Sequence, residues 1–396
     1  MSQVGLDFQS DTCTHPIEHG WISAEWAWCI GRGSTTMNRR HFLQGAATII
    51  ASNAILQAHA NAGVAPKPLS RIFHLTTRIE LTHSDALTRV WIPLPLTKET
   101  PFQQHLVTTV QCDCGHWDRH NHPEHAMGML VAEFPAGSNP VLTVKSRVRL
   151  RDWTVDLQKP TRIGILSPAE RQIYLKPTRQ VPTDGVVRST ALAITQGAKT
   201  DEDQARAIYE WMIAHTYRKA SVRGCGNGNI RALLETGDLG GKCADLSALF
   251  VGLARAVGLP ARDVYGIRVG PSHRGYTSLG PTTGMVSRAQ HCRAEVWLQR
   301  FGWVPLDPAD VRKVILEESS GNQSLGEHLV QLARKQMFGS WEMNWIAFNY
   351  GQDVSLPGSN GPALPFFMYP QAETASRRAD SLDPDTFRYQ ITSVEV

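Results

Sequence analysis

The run Gly240-Gly241-Lys242-Cys243-Ala244-Asp245 places a thiol where a glycine turn enters a segment with helical apolar spacing. A thiol there meets the positive end of the helix dipole and first-turn amide N–H groups that have no partner inside the helix. Both favour the thiolate, which is the reactive form. Gly240 and Gly241 permit close backbone approach, and Lys242 adds a neighbouring positive charge. A small, inert, buried cysteine could occupy the same position, so the thiol alone leaves the two readings level.

A nucleophilic thiol needs a base. His291 opens the strand-like segment HCRAEVWL and shares a face with Arg293, Glu295 and Trp297. A short turn at Gln299–Gly302 returns the chain through Trp303 to Asp307-Pro308. That hairpin sets Asp307 beside His291, where a carboxylate holds an imidazole in one tautomer and stabilises the imidazolium. A lone strand histidine is ordinarily structural, and Asp-Pro is ordinarily turn chemistry. Those bland explanations weaken when three such coincidences must hold together. Cys292 points to the opposite face from His291 and reads as core.

The surrounding elements must bring these groups together. From Arg71 to about Val155 the segments RIFHLTTRIEL, LTRVWIPLP, GMLVAEFP and LTVKSRVRL are short, rich in β-formers and bounded by turn residues. They predict an antiparallel β domain, a sandwich, over 71–155, followed by a proline-punctuated connector over 156–198. Helices come next. Thr200 followed by Asp203 approximates a capping box, and Ala205, Ile208, Tyr209, Met212 and Ile213 recur at helical spacing. A second helix starts near Cys243, with Leu246, Leu249, Phe250, Leu253 and Val257 in one stripe, and ends at Gly258-Leu259-Pro260. Strands follow through RDVYGIRVG, HCRAEVWL and WVPLDP. Residues 199–315 thus make an α+β catalytic core. Residues 316–396 form a C-terminal extension packing on that core. Its early part, 316–345, reads as partly helical, the pair Trp341 and Trp345 reads as helix packing, and its end, FRYQITSVEV, reads as a strand.

Two more clusters invite a role. The glycine-rich run Arg223-Gly224-Cys225-Gly226-Asn227-Gly228 could line the cleft, and Cys225 could join Cys243 in a reversible disulfide. No Gly-Lys-Ser/Thr follows it, so it is not a phosphate loop. Cys225, Asn227, Arg293 and Trp303 are the cleft-lining candidates. The run from Gln111 to His125 carries Cys112, Cys114, His116, His120, His122 and His125, a soft or borderline ligand set that could bind Zn, Cu or Ni. The same residues also suit a solvated, histidine-rich hairpin loop, and their spacing matches no standard closed zinc site.

Composition bounds these readings. The chain has 396 residues, 42% hydrophobic and 19% charged, with a net charge of +4. That balance does not suggest a nucleic-acid partner, and eleven Trp and twelve Phe require a packed interior. No uninterrupted apolar run reaches the length of a membrane span. Residues 37–60 read MNRRHFLQGAATIIASNAILQAHA, a twin-arginine pair, a weakly apolar stretch and an Ala-His-Ala box in order. This is the pattern of a bacterial twin-arginine export signal, which predicts a periplasmic or exported mature chain. Residues 1–36 then read as an upstream extension before a start at Met37. Cleavage after Ala60 leaves five cysteines, so at least one is not in an intramolecular disulfide.

The stretch GGKCADLSALFVGLARAVGLPARDVYGIRV, then HCRAEVWL, then GWVPLDPAD, resembles the transglutaminase-like superfamily of papain-type cysteine enzymes. The resemblance covers roughly 201–310. It implies a catalytic Cys243, His291 and Asp307, in the family's chain order. The preceding Arg89-Val90-Trp91-Ile92-Pro93-Leu94-Pro95 looks like the sheet domain of bacterial exported members. Arg293 departs from the pattern, since that position is often Trp in the family, and this could alter what the channel accepts. The implied chemistry is acyl transfer through a thioester, with no cofactor and a peptide or protein substrate. Hydrolysis of a peptide or amide bond in the cell envelope is favoured. An amine-transferring cross-linker, or a non-catalytic binding or structural module that keeps the fold, are the alternatives.

Overall fold

A computed structural model describes residues 69–81, 86–113, 115–161, 165–318 and 324–396. The predicted extension 1–36, the export signal 37–60 and Cys114 lie outside the described residues.

The alternation predicted for the first strands is present. Arg71–Glu80 buries every second residue on the core side. It pairs antiparallel with Val141–Leu150 and with Tyr389–Glu395. Gln103–Cys112 completes this first sheet. The second sheet runs Gln371–Thr374, Thr88–Pro93, Met127–Phe134, His116–His122. Ile79, Leu142 and Val144 from the first sheet meet Val90, Ile92, Leu130, Ala132 and Phe134 from the second. Two antiparallel sheets with a shared apolar filling make a sandwich.

The C-terminal segment therefore does more than pack on the core. It supplies an edge strand to each sandwich sheet. Likewise, the stretch expected as a connector carries two helices, Pro168–Leu175 and Gly185–Ile194. The first has a Ser167/Glu170 capping box that went unread in the sequence.

The α+β core follows the sequence closely. Helix Asp201–His215 starts at the Thr200 capping box and buries Ala205, Ile208, Tyr209, Met212 and Ile213. Helix Cys243–Ala256 is buried along its whole length, so its apolar stripe widens to the full circumference. It packs on a four-stranded antiparallel sheet in the order Gly302–Leu306, Gln290–Leu298, Ala261–Arg268, Trp345–Asn349.

One helical expectation fails. Trp341 and Trp345 do not share a helix, because the chain is strand at Ser340–Trp341 and again at Trp345–Asn349. Gly339, at φ 104°, marks the turn after helix His328–Gln336. The two indoles then meet Phe102 and Trp153 in a satellite apolar cluster. Aromatic spacing of four was read as helical, but tertiary packing of large rings produced it. Among the described residues, no helix is long and apolar enough to cross a membrane.

Gly266 shows how tightly the sheet is built around the histidine strand. It pairs with His291 on one side and with Ala347 on the other. A β-carbon there would overlap the Ile346 carbonyl and come within 2.6 Å of the Trp345 ring. The Trp345 indole N–H in turn donates to the His291 carbonyl at 2.9 Å. Gly266→Ala is therefore expected to cost about 2 kcal/mol or more in denaturant unfolding, because a backbone carbonyl cannot move aside. Gly326→Ala, with no heavy atom nearer than 3.8 Å and an ordinary φ, should change stability by less than about 0.5 kcal/mol. Equal effects at the two positions would contradict this packing.

Candidate active site

Cys243 is the first residue of its buried helix. Asp245, two positions on, fixes this helix start to the loop before it. Its carboxylate accepts from the backbone N–H groups of Lys242 at 3.0 Å, Asn227 at 3.0 Å and Gly228 at 2.9 Å. Gly226, at φ 92°, makes room, since a β-carbon there would run into the Asp245 carboxylate. The Ala244 N–H donates to the Cys225 carbonyl at 2.9 Å. Thus the glycine-rich loop and the helix start are one hydrogen-bonded unit, and Cys225 lies beside Cys243.

His291 and Asp307 meet across the predicted hairpin. Strands Gln290–Leu298 and Gly302–Leu306 pair from Leu298 opposite Gly302 to Ala294 opposite Leu306. Asp307 follows directly and divides its carboxylate between two tasks. One oxygen accepts from His291 Nε2 at 2.7 Å. The other accepts from the Asp310 N–H at 2.9 Å and caps helix Pro308–Glu317. With Nε2 so engaged, Nδ1 is the nitrogen left for the Cys243 thiol, which also reaches the imidazole. Cys243 and His291 are each 5% exposed and Asp307 2%.

A second carboxylate joins them, and sequence reading missed it. Asp310 Oδ1 lies 3.4 Å from His291 Nε2 and is ion-paired to Arg268. The visible signal was the i, i+3 spacing from Asp307, one turn into the helix. Burial and Arg268 push the His291 imidazole down, but Asp310 and Asp307 outweigh them, and its pKa ends above the ordinary value. Burial opposes ionisation of Asp310, yet Arg268 and His291 hold its carboxyl well below the usual range. Asp307 is raised by burial and by Asp310.

The thiol is shifted the other way. A hydrogen bond from Cys225 is the largest cause holding Cys243 well below the ordinary thiol range, with a second from Cys292. Burial opposes them, and His291 adds to the lowering. Cys292 is core, as expected, yet its sulfur also touches the nucleophile candidate. Cys225 and Cys292 are pushed well above the ordinary value, so they stay protonated donors. All three are free thiols.

A cavity of about 630 Å³ opens onto this cluster, lined among others by Cys225, Cys243, Gln290, His291 and Tyr369. Gln290 is 7% exposed, and its side-chain amide nitrogen is buried without a hydrogen-bond partner. The other expected cleft residues lie off this lining. Asn227 is exposed beyond the loop and gives its N–H to Asp245. Arg293 is buried behind Asp307, 3.7 Å from its carboxylate, and stacks over Trp345. Burial and Arg268 lower its pKa to about 10. Trp303 packs with Trp297, Tyr174 and the Arg262 guanidinium. The period-two face rule put Arg293 on the face of His291 but could not say which side of the sheet was open.

The histidine-rich run is strand His116–His122 and turn Pro123–His125 rather than a loop. It lies in the sandwich, and none of its residues lines the cavity described above. Cys112 packs against the sandwich filling.

Comparison with known proteins agrees with this architecture. The profile of the transglutaminase-like superfamily matches residues 188–308. The chain belongs to that superfamily. An uncharacterized protein of Haemophilus influenzae is 32% identical over 358 residues, covering 85% of this chain and 95% of its own. A crystal structure from Cytophaga hutchinsonii, provisionally described as a cysteine protease, has the same fold at 13% identity. Its TM-score is 0.52, with 83% of this chain and 91% of that one covered.

The hydrogen bond from Cys225 has a measurable consequence. Alkylation of Cys243 by iodoacetamide should show its thiolate inflection below the ordinary thiol value of about 8.5. Cys225→Ala removes the leading stabiliser of the thiolate, so the inflection should move to higher pH. An identical rate-against-pH profile in the variant would contradict this assignment.

Proposed function

We propose that this chain is a cysteine hydrolase that opens a peptide or amide bond by acyl transfer through a thioester on Cys243. The observation that carries the reading is His291, buried between the Cys243 thiol and the Asp307 carboxylate at the floor of the cavity. Lowering the thiol and raising the imidazole favours the thiolate–imidazolium pair.

In this reading the Cys243 thiolate attacks the substrate carbonyl, and His291 gives its proton to the departing amine. Water then enters, loses a proton to His291 and releases the acid, which regenerates the thiolate. Asp307 keeps the imidazole turned toward the sulfur and stabilises its charged form. The Cys243 N–H, at the first helical position, is one oxyanion donor. The Ala244 N–H is already bonded to Cys225. The unpartnered amide nitrogen of Gln290 is the second donor in this reading.

Water is the favoured acceptor because the cavity wall includes exposed Thr282, Thr283 and Arg288, so solvent reaches the site. Envelope action belongs to the same proposal and rests on the export pattern at 37–60. The substrate is a peptide or protein, and no cofactor takes part.

The test is turnover of a generic acyl-donor ester or amide with and without a primary amine. Cys243→Ala and His291→Ala should each lower kcat/KM by at least about a thousandfold. Gln290→Ala should lower kcat by about a hundredfold. Release of free acid supports hydrolysis, whereas incorporation of the amine would make the protein a cross-linker. Turnover undiminished in Cys243→Ala would remove the enzyme reading and leave a binding module.

A further inference from the structure

The turn between strands His116–His122 and Met127–Phe134 gathers side chains that acyl transfer leaves unused. Ligating atoms of His122, Glu124 and His125 all lie within 4.8 Å of one another. The His122 and His125 rings stack with centroids 4.6 Å apart and planes 17° apart. The backbone is bent to achieve this. Ala126 closes the turn at φ 45°, its N–H donating to the Pro123 carbonyl at 3.0 Å. Among the described residues only Ala126 and Asp353 are non-glycine residues at positive φ. Asp353 lies in the chain just past Tyr350, whose N–H holds the His125 carbonyl at 3.0 Å. Backbone strain of this kind persists where the surroundings enforce it, and it concentrates at ligand clamps.

We propose that His122, Glu124 and His125 form a surface site for a divalent transition-metal ion, bound through two imidazoles and one carboxylate. This donor set suits Zn, Ni or Co, with the remaining coordination positions filled by water. The structure thus brings together two of the ligands suggested by the sequence, His122 and His125, and adds Glu124. His120 instead faces Asp118 at 3.9 Å, and Cys112 is turned into the sandwich. The Lys176 ammonium lies 3.9 Å from the Glu124 carboxylate and is exposed. Such a contact is weak, and a dication would displace it.

The experiment is calorimetric titration of metal-free protein with Zn²⁺, backed by the visible spectrum of the Co²⁺ form. One ion per chain is expected at this site. His122→Ala and His125→Ala should each weaken binding at least about tenfold. Lys176→Ala should keep or tighten it, and the His116→Ala/His120→Ala pair should leave it unchanged. All these residues are partly or fully exposed, so folding can be checked by circular dichroism. Absent binding, binding indifferent to His122 and His125, or binding lost only when the thiols are alkylated would each overturn the site.

A different observation carries a second inference, which rests on Cys243 being the nucleophile. Cys225 shares the cavity wall with Cys243 and is tied to the next residue's N–H at 2.9 Å. Its thiol also lies 3.3 Å from the Gln290 carbonyl. It sits between Gly224 at φ 56° and Gly226 at φ 92°. We infer that hydrogen peroxide joins Cys225 to Cys243 and switches the nucleophile off reversibly. The Cys243 thiolate attacks one peroxide oxygen, the O–O bond breaks, hydroxide leaves and a sulfenic acid remains. The Cys225 sulfur then attacks the sulfenic sulfur, and its proton leaves with the hydroxyl as water. Peroxide is reduced by two electrons and the two thiols are oxidised to one disulfide.

Non-reducing peptide mapping after peroxide treatment should find the Cys225–Cys243 peptide. Dithiothreitol should restore alkylation of Cys243 in the parent. In Cys225→Ser the Cys243 sulfur should advance to sulfinic acid and stay unrecoverable. If Cys243 alkylates readily but never pairs with Cys225, the switch fails while the nucleophile stands. If Cys243 reacts with neither reagent, both readings fall.

Discussion

The site depends on one constraint, which is that an imidazole taken out of water must be fully compensated. Burying an ion costs on the order of several kcal/mol unless partners surround it. Around His291 the partners are two carboxylates, Asp307 and Asp310, and two guanidinium groups, Arg268 and Arg293. The two negative and two positive charges balance. The Cys243–His291 pair is itself neutral both as thiol with imidazole and as thiolate with imidazolium. A proton can therefore pass between sulfur and nitrogen without changing the charge of the buried cluster. Such a network holds buried charged groups at low cost, provided every member stays in place.

Keeping the members in place is the work of the scaffold. Three of them come from separate pieces of chain, namely a helix start, a strand and a helix cap. Asp245 fastens the helix start to the Cys225 loop. Asp307 serves as helix cap and histidine partner at once, so the turn that ends the hairpin also orients the imidazole. Trp345 and Gly266 set the depth of the histidine strand. The sandwich contributes from outside. Arg71 donates to the Pro271 carbonyl at 3.0 Å and pairs with Glu395, linking the first strand, the last strand and the loop after Val269.

Most of this was readable where chemistry is local. A thiol behind two glycines, a histidine opening a strand and an aspartate after a short hairpin are each expressed within a few residues. The period-two and 3.6-residue patterns placed the strands Arg71–Glu80, Thr88–Pro93, Met127–Phe134 and Val141–Leu150 and the helices Asp201–His215 and Cys243–Ala256 for the same reason, but not the strands Gln103–Cys112 and His116–His122. What escaped was long-range. Asp310 matters because it meets His291 at 3.4 Å and is paired with Arg268, which comes from the strand Ala261–Arg268 far off in sequence. Cys292 reads as core and is core, but its sulfur reaches Cys243 through a helix-on-sheet contact that no local pattern encodes. The Trp341 and Trp345 rings imitate helical spacing because large aromatic groups packed around Phe102 at that interval. The tail strand Tyr389–Glu395 falls where FRYQITSVEV reads as strand, but its partner, like that of the unread strand Gln371–Thr374, lies near the other end of the described chain.

That last pairing shapes how the protein is made. Arg71 and Glu395 bond across 324 positions of sequence. The first strand of the sandwich leaves the ribosome long before its outer neighbour has been translated. Until then its hydrogen-bonding edge is open, and open edges invite pairing with other chains. Closure of that sheet therefore has to wait until Tyr389–Glu395 has been synthesised.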